Sequence, residues 1–474
     1  MPSLSPIDRG WLIAAAAALL PVPAHAQADA GQARFRDIYQ ELIETETTLS
    51  NGDCTLASER MRARLVAAGY GDGQFRTVVP PEFPKQGNLV GEIAGSDAKA
   101  PAILLIAHID TVEAKRSDWE RDPFTLIEED GYFYARGAID DKAMAAIFID
   151  SLIRYREENF RPRRTIKIAL TCGEETDAVF NGVQYLLATD PQTLRAGFAI
   201  NEGGKGALDD QGRPRTFGVQ AGEKIYQDFT LVTTSPGGHS ARPGKDNAIM
   251  RLADGLRRLG RYRFPAMPGE VTRNFFARSA ALYPGEKGDA MRVAGTGDDD
   301  GAALDLLSDA DPLWNAMIRT TCSATMVNAG HAVNAIPQRA EANVNCRILP
   351  GTTVDEVHGI LVEALADPSI SVALAEAPGP VSPAPPITPA IMKPIERLAA
   401  EMWPGIPVIP SLSTGATDGR FLLAAGIPTY GVSAIFVDPD GNGVHGLNER
   451  VRVKSLYDAR TFLHRLVKIY ASAR

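Results

Sequence analysis

The sequence predicts an α/β protein in which a mostly parallel sheet, flanked by helices, is interrupted by an inserted α+β domain. Apolar strand patterns alternate with helical patterns as far as residue 222, which is typical of a parallel sheet. After residue 222 the pattern changes to a strand that alternates polar and apolar residues like a half-exposed strand, then a turn-rich loop, a helix and two further strands, which indicates an inserted α+β unit over residues 223–348. The α/β pattern then returns. We therefore assign residues 27–222 and 349–474 to the larger domain and residues 223–348 to the insertion.

Length and charge exclude some classes of protein. The chain has 474 residues, enough for two or three domains, and a net charge of −9. An excess of acidic residues argues against a nucleic-acid partner held by phosphate contacts. No apolar run reaches the roughly 18 residues that a membrane-spanning helix requires.

The N-terminus has the pattern of an export signal. Arg9 precedes an apolar run over residues 11–20, and Ala24-His25-Ala26 follows as a small-x-small cleavage site. We predict a signal peptide over residues 1–26 and a mature protein in the periplasm or outside the cell, with no membrane span after cleavage. An uncleaved anchor or a disordered tail is the alternative.

An exported protein would expose its four cysteines, at positions 54, 172, 322 and 346, to an oxidising compartment. Strand patterns lie on both sides of the turn between Cys322 and Cys346. If these strands pair with Val327 opposite Glu341, Cys322 lies opposite Cys346, and we hypothesise a disulfide there. Two small buried hydrophobic residues are the alternative. The sequence assigns no partner or role to Cys172.

Residues 104–112, LLIAHIDTV, form the segment around which the candidate site is organised. The apolar run predicts a strand covered on both faces, and open α/β sheets bind ligands at the carboxyl ends of such strands. His108 at this end is a candidate metal ligand. Asp110 is placed to hold its second ring nitrogen or to orient a neighbouring group. A hydrogen-bonded core histidine is the structural alternative.

Further nitrogen and oxygen donors follow other predicted strands or precede a helix: Asp140, Glu174, Glu175, Glu202 and His445. Such a set without thiolates suits Zn²⁺, or Co²⁺ or Mn²⁺ at similar sites. Two cations that share one carboxylate can lower the pKa of a water between them, and a carboxylate free of metal is then needed to accept its proton. Neighbours on an extended segment point in opposite directions, so Glu174 and Glu175 can divide these roles.

Each of these residues also has an ordinary structural explanation. Asp140 precedes a helix and would serve as its N-cap. The two glutamates and His445 would also suit solvated loops, and Glu202 before two glycines would suit a turn. The order and the spacing of the whole set favour a metal centre.

These residues resemble the co-catalytic zinc exopeptidases and amidohydrolases, which include glutamate carboxypeptidase, aminoacylase, succinyl-diaminopimelate desuccinylase and carboxypeptidase S. The resemblance spans residues 33–470 and is nearest to carboxypeptidase S. It rests on the motifs AHIDTV, ARGAIDDK, CGEE, NEGG, GGHSARP, NAIP, TGATDGR and VHGLNER. It implies a fold of the zinc-peptidase type, with a catalytic metal-binding domain and an inserted lid or dimerisation domain. It also implies two Zn²⁺ per subunit, with Co²⁺ or Mn²⁺ as alternatives.

Residue by residue, the resemblance implies that His108 and Glu202 bind one metal and that Glu175 and His445 bind the other. Asp140 would bridge the two and would be followed by a cis peptide bond. Glu174 would be the general base and acid, with Asp110 in support.

The resemblance also implies a homodimer in which His239 reaches the active site of the partner subunit and stabilises an oxyanion. Arg347 and Asn334 match positions that bind the substrate carboxylate or the scissile carbonyl. Gly415 and Thr417 match positions that line the substrate pocket.

The expected activity is hydrolysis of an amide or peptide bond beside a free carboxylate, by a carboxypeptidase or dipeptidase. An N-acyl-amino-acid amidohydrolase, with the same chemistry on an acyl group, is the alternative. A binding protein that has lost catalysis is a remote alternative, and the presence of Glu174 with every expected ligand argues against it. A cytoplasmic deacetylase or desuccinylase conflicts with the predicted export.

Overall fold

The structure is a computed structural model that describes residues 24–176, 179–298 and 301–473. The predicted signal peptide therefore lies outside the described residues, except for its last three residues. These three stand at the start of helix α1 (Ala24–Ile43).

A ten-stranded sheet forms the centre of the larger domain. Nine strands lie in the spatial order β1 (Phe75–Val78), β2 (Asn88–Ile93), β6 (Ile166–Thr171), β3 (Ile103–His108), β7 (Phe198–Asn201), β17 (Thr429–Gly431), β9 (Pro214–Glu223), β8 (Gly206–Leu208) and β18 (Phe436–Val437), and β16 (Val408–Ser413) also pairs with β9. The central strands β6, β3, β7 and β17 run parallel to one another, whereas β1 and β2 add an antiparallel edge.

Helices cover both faces of this sheet. One face packs against α1, α2 (Cys54–Ala67), α3 (Lys142–Glu157), α12 (Pro389–Met402) and α14 (Val453–Ser472). The other face packs against α4 (Gly182–Thr189), α5 (Pro191–Leu194) and α13 (Gly419–Ala424). On β3, Leu105 and Ala107 face the first layer, and Leu104 and Ile106 face the second. Every residue of β3 is buried, which accounts for its unbroken apolar run.

A small sheet of β4 (Ile127–Glu129), β5 (Tyr132–Tyr134) and β19 (Arg450–Arg452) brings the C-terminal part of the chain beside the segment that precedes α3. Arg450 pairs with Tyr134. The described residues also contain short 3₁₀ turns at Arg116–Asp118, Ala280–Leu282 and Gly441–Gly443.

The inserted domain has its own antiparallel sheet, in the order β12 (Thr321–Ala329), β14 (Arg339–Ile348), β10 (Ile225–Thr234) and β15 (Ile370–Leu374). Helices α6 (Ala248–Leu259) and α11 (Val354–Leu365) cover one face. A ribbon of β11 (Gly238–His239) and β13 (Ala335–Ile336) projects from it. Because β15 is a strand of this sheet and α11 packs on it, the domain extends further along the chain than the predicted end at residue 348.

Four helices inside the insertion form a separate cluster: α7 (Glu270–Ser279), α8 (Glu286–Thr296), α9 (Ala302–Ala310) and α10 (Pro312–Ile318). They share a core around Phe276, Met291 and Trp314. Arg278 on α7 donates hydrogen bonds to Glu396 and to the backbone carbonyl of Val408, so this cluster packs on the larger domain at β16.

The hypothesised disulfide between Cys322 and Cys346 is present, with these residues directly opposite in β12 and β14. A bulge between Ala324 and Met326 shifts the register beyond it. The predicted pairing of Val327 with Glu341 is therefore wrong by one residue, and Val327 lies opposite Ala342.

A second disulfide, which the sequence analysis did not anticipate, joins Cys54 at the start of α2 to Cys172 after β6. Within the described ranges, no helix combines the length and the apolar character needed to cross a membrane.

Candidate metal centre

The residues predicted as metal ligands meet at the carboxyl ends of β3, β6 and β7. They form two groups of three that share one member: His108, Asp140 and Glu202, and Asp140, Glu175 and His445. In each group, one ligand atom per residue lies within 4.8 Å of the others. The parallel strands bring His108, Glu175 and Glu202 together because their carboxyl ends share one edge of the sheet. Asp140, just before α3, and His445, just after the 3₁₀ turn Gly441–Gly443, come to the same edge.

Asp140, the shared member, directs its two carboxylate oxygens to different histidines. Its Oδ1 lies 3.3 Å from Nε2 of His108, and its Oδ2 lies 3.3 Å from Nε2 of His445. Glu202 lies 3.8 Å from the same nitrogen of His108, and Glu175 lies 2.9 Å from that of His445. Asp140 therefore has the geometry of a carboxylate that bridges two cations. The Asp140–Asp141 peptide bond is cis, as the resemblance implied.

Asp110 contacts both the first histidine and the glutamate pair. Its backbone carbonyl lies 3.1 Å from Nδ1 of His108. Its carboxylate accepts hydrogen bonds from the backbone N–H groups of Glu174 at 3.3 Å and Glu175 at 3.0 Å. Such contacts fix the ring orientation of His108 and the position of the glutamate segment.

Glu174 belongs to a third group of possible ligands, with His108 and Glu175, but to neither of the two groups that share Asp140. One of its carboxylate oxygens lies within 4.8 Å of ligand atoms of His108 and Glu175. Burial raises the pKa of Glu174 well above its ordinary value, and the neighbouring Glu202 raises it further. A carboxyl group with a raised pKa is suited to accept and return a proton near neutral pH.

Strong electrostatic interactions connect the clustered residues. Burial raises the pKa of Glu202 to about 8. Burial also opposes ionisation of Asp140, but the charge of Lys205 and the hydrogen bonds from both histidines outweigh it and hold the pKa well below the ordinary value. Hydrogen bonds with Asp140 and Glu175 raise the pKa of His445 to about 10. The raised pKa values of Glu202 and His445 mean that bound protons offset the carboxylate charge of the cluster, a role that cations would take over.

The donor set fits two divalent metal ions. Three carboxylates and two imidazoles form two groups whose ligand atoms lie within 4.8 Å of one another, and none is a thiolate. This chemistry is typical of catalytic zinc sites and of cobalt or manganese at similar sites. His108, Asp140 and Glu202 would hold one ion, and Asp140, Glu175 and His445 the other.

Glu449, which the sequence analysis did not single out, holds the segment that carries Asp140. The carboxylate is fully buried and accepts a hydrogen bond from Nη1 of Arg136 at 2.7 Å. It also accepts hydrogen bonds from the backbone N–H groups of Gly137, Ile139 and Asp140. Glu449 stands in the VHGLNER motif, four residues after His445, so the motif could have identified it, but only His445 was predicted as a functional residue.

A second buried network, likewise missed, supports the strand ends. Asp418 accepts hydrogen bonds from the hydroxyl of Thr171 at 2.9 Å and the side-chain amide of Asn181 at 2.7 Å. Burial raises the pKa of Asp418 to about 6. These contacts join the loop after β16 to the end of β6.

The predicted pocket residues Gly415 and Thr417 lie in this same loop. The hydroxyl of Thr417 accepts a hydrogen bond from Asn201, next to Glu202, and its backbone N–H donates to Glu223 at 2.7 Å. Gly415 is exposed, and its N–H donates to the hydroxyl of Ser413. Thr417 is thus part of the support of the metal centre, and Gly415 is accessible to a substrate.

The structure does not bring the predicted residues of the inserted domain to the metal centre of the same chain. His239 is exposed on β11, and its Nδ1 accepts a hydrogen bond from the backbone of Ala241. Asn334 lies in the adjoining turn, where its carbonyl accepts a hydrogen bond from the N–H of Ser240. Arg347 stacks on the ring of Tyr226 at 4.6 Å, within the second sheet.

The chain matches known proteins over most of its length. The family model described as Peptidase family M20/M25/M40 matches residues 104–469. The human N-fatty-acyl-amino acid synthase/hydrolase PM20D1 is 29% identical over 431 residues, which cover 87% of this chain and 84% of that protein. The probable carboxypeptidase S-like 2 of Dictyostelium discoideum is 26% identical and covers 80% of this chain and 74% of that protein.

The solved structures show the same fold. The M20 family metallo-carboxypeptidase Sso-CP2 from Sulfolobus solfataricus superposes with a TM-score of 0.66 at 18% identity, covering 92% of this chain and 99% of that one. The family model covers well over half of the chain and includes every predicted metal ligand. The family that the motifs indicated is thereby confirmed, and the chain belongs to peptidase family M20/M25/M40, whose members are metal-dependent hydrolases.

Proposed function

We propose that this protein hydrolyses an amide bond beside a free carboxylate, as a carboxypeptidase or dipeptidase, at two Zn²⁺ ions per subunit. The observation that carries the proposal is the position of Asp140 between two histidines, each 3.3 Å from a different carboxylate oxygen. When bound, the two ions would supply Lewis acidity and lower the pKa of a water. Co²⁺ and Mn²⁺ would suit the same donors.

Glu174 is the general base and acid in this proposal. Its raised pKa and its position within 4.8 Å of His108 and Glu175 support the role. The carboxylate takes a proton from the attacking water and returns it to the leaving nitrogen. Asp110 is a positioning residue, because it holds the backbone of Glu174 through a hydrogen bond.

The active protein is a homodimer in which the inserted domain contributes to the site of the partner. The exposed edge strand β12 supports this arrangement, because Met326 and Val327 on it are 71% and 63% exposed. His239 is likewise exposed, and is therefore free to stabilise an oxyanion in the other subunit. Asn334 and Arg347 complete the recognition of the scissile carbonyl and the substrate carboxylate.

Export to the periplasm or beyond completes the proposal. It rests on the pattern of residues 1–26 and is supported by the two disulfides, which leave no free cysteine.

A second candidate substrate class is the N-acyl amino acids. It is favoured by the human relative, which is described as a synthase and hydrolase of N-fatty-acyl amino acids. The amide chemistry at the metal centre would be the same, with an acyl chain in place of the N-terminal part of a peptide.

Matched substrates test the proposal. The mature protein, loaded with Zn²⁺, is assayed on an N-blocked dipeptide, on its C-terminal amide and on a long-chain N-acyl amino acid, each with and without a chelator. Cleavage of the free-acid peptide but not of its amide, abolished by the chelator, is the expected result. A strong preference for the acyl amino acid would select the second candidate. The absence of chelator-sensitive turnover on every substrate would contradict both.

A further inference from the structure

A cavity of about 460 Å³ lies where the four-helix cluster of the insertion packs on the larger domain. We call it the side cavity. Its walls come from α7, the 3₁₀ turn that follows it and α10 on one side, and from β8, β9 and β16 on the other. The volume lies within the roughly 300–1,000 Å³ of small-molecule sites.

Most of the surface that faces the side cavity is apolar. Phe275, Leu282 and Met317 contribute from the helical wall. Ile409 and Leu412 contribute from β16. Polar side chains such as Arg215, Gln220 and Ser411 also line it, but the apolar surface predominates. Contact with that surface favours a hydrocarbon chain, which has no hydrogen-bonding groups to remove from water.

One end of the side cavity adjoins the metal centre. Lys205 lines it and follows Glu202 by three residues in the chain. Gln220, another lining residue, packs closely against Gly203. A Cβ atom added to Gly203 would lie 2.3 Å from Oε1 of Gln220. The cavity therefore begins beside a residue that the proposed function assigns to a metal.

We propose that the side cavity holds the hydrocarbon chain of an N-acyl amino acid while the amide bond lies at the metal centre. The inference rests on the proposed function and selects its second substrate class. The amide carbonyl stays beside the metal ligands, and the acyl chain extends past Lys205 between the helices and β16. Each methylene buried in this way strengthens binding by up to about fourfold.

The test compares N-dodecanoyl-leucine with N-acetyl-leucine as substrates of the Zn²⁺-loaded protein. The variant Leu313→Asp places a charge on the cavity wall at a side chain that is 51% exposed, so the new carboxylate stays in contact with water. Val293→Asp, on α8 and outside the cavity lining, is the matched control at 44% exposure. A second variant, Ala207→Phe on β8, fills the cavity without adding charge.

The wild type is expected to have a higher kcat/KM for the dodecanoyl substrate than for the acetyl one. Leu313→Asp and Ala207→Phe should reduce this ratio by about tenfold, equivalent to losing the burial of roughly two methylenes. Val293→Asp should leave the ratio unchanged. The same ratio in the wild type and both cavity variants would overturn the assignment of the cavity.

Direct binding separates this inference from the proposed function. If neither substrate is turned over in a chelator-sensitive reaction, the proposed function fails. Titration calorimetry then still measures how tightly N-dodecanoyl-leucine binds to the protein and its cavity variants. Binding that is about tenfold weaker in Leu313→Asp than in Val293→Asp would support an acyl site, and equal binding in the two variants would refute it.

Discussion

The carboxylate of Asp110 accepts a hydrogen bond from the backbone N–H of Glu175 at 3.0 Å. The two residues lie on different strand ends, after β3 and after β6, so this contact fixes the distance between two parts of the metal centre. The same carboxylate holds the N–H of Glu174, and the backbone carbonyl of Asp110 contacts His108. One side chain therefore positions the proposed metal ligand Glu175 and the proposed base Glu174 together.

Replacing Asp110 with asparagine should weaken metal binding and reduce activity by about 10–100-fold, the range seen when such supporting groups are removed. The amide keeps the shape but loses the charge and one acceptor oxygen. Metal affinity, measured by competition with a chelating dye, checks the prediction. Asp118→Asn, at an exposed position, is the control. An Asp110→Asn protein with wild-type metal affinity and activity would show that the contact has no positioning role.

Glu449→Gln should lower the free energy of unfolding by about 3–5 kcal/mol, because it leaves the buried charge of Arg136 without its partner. Glu401→Gln is the matched control. It interrupts an exposed pair with Arg465, whose side chains are 53% and 38% exposed, and should cost less than about 1 kcal/mol. Urea denaturation of the two variants measures both values. Equal losses of stability would contradict the structural role of Glu449.

Both disulfides should persist in the isolated protein, so thiol titration of the denatured, unreduced chain should find no free cysteine. Double serine variants should be less stable by about 3–4 kcal/mol for Cys322–Cys346 and about 5 kcal/mol for Cys54–Cys172. The second value is larger because its sequence separation is 118 residues rather than 24. Four titratable thiols in the unreduced protein would contradict both bridges.

Glu223 should make stability depend on pH. Burial raises its pKa from 4.5 to about 8, and its Oε1 lacks a hydrogen-bond partner. The folded state binds this proton more tightly than the unfolded chain does, so the stabilisation is fully present below about pH 4.5 and is lost as the pH rises through about 8. The unfolding free energy of the wild type relative to Glu223→Gln should therefore fall between pH 5 and about 8.5. A difference that rises with pH would contradict the assignment.

The sequence was sufficient where a local pattern carries the information. The apolar run of β3 predicted a strand buried on both faces, and His108 at its end predicted the edge where ligands gather. The strand ends at Glu175 and Glu202 were found in the same way. The pairing of Cys322 with Cys346 could be predicted because the two residues lie on strands that flank one turn.

Long-range contacts could not be read from local patterns. Glu449 holds the N–H of Asp140 across 309 residues, and no periodicity connects the two. Cys54 and Cys172 are brought together only when α2 packs on the sheet. The bulge between Ala324 and Met326 arises from backbone pairing that the residue types do not specify, and it displaced the predicted partner of Val327.

Glu174→Gln tests the central claim, that a metal-dependent hydrolase uses this carboxylate as its base, most directly. Glutamine keeps the shape but cannot accept the proton, so turnover should fall by about 10²–10⁴-fold. Metal content should stay at the wild-type value, because each of the two groups that share Asp140 supplies three ligands without Glu174. Turnover and bound metal are measured on the same preparation, the latter by atomic absorption. Loss of turnover with full metal content is the predicted result, and near-normal turnover in Glu174→Gln would contradict the account.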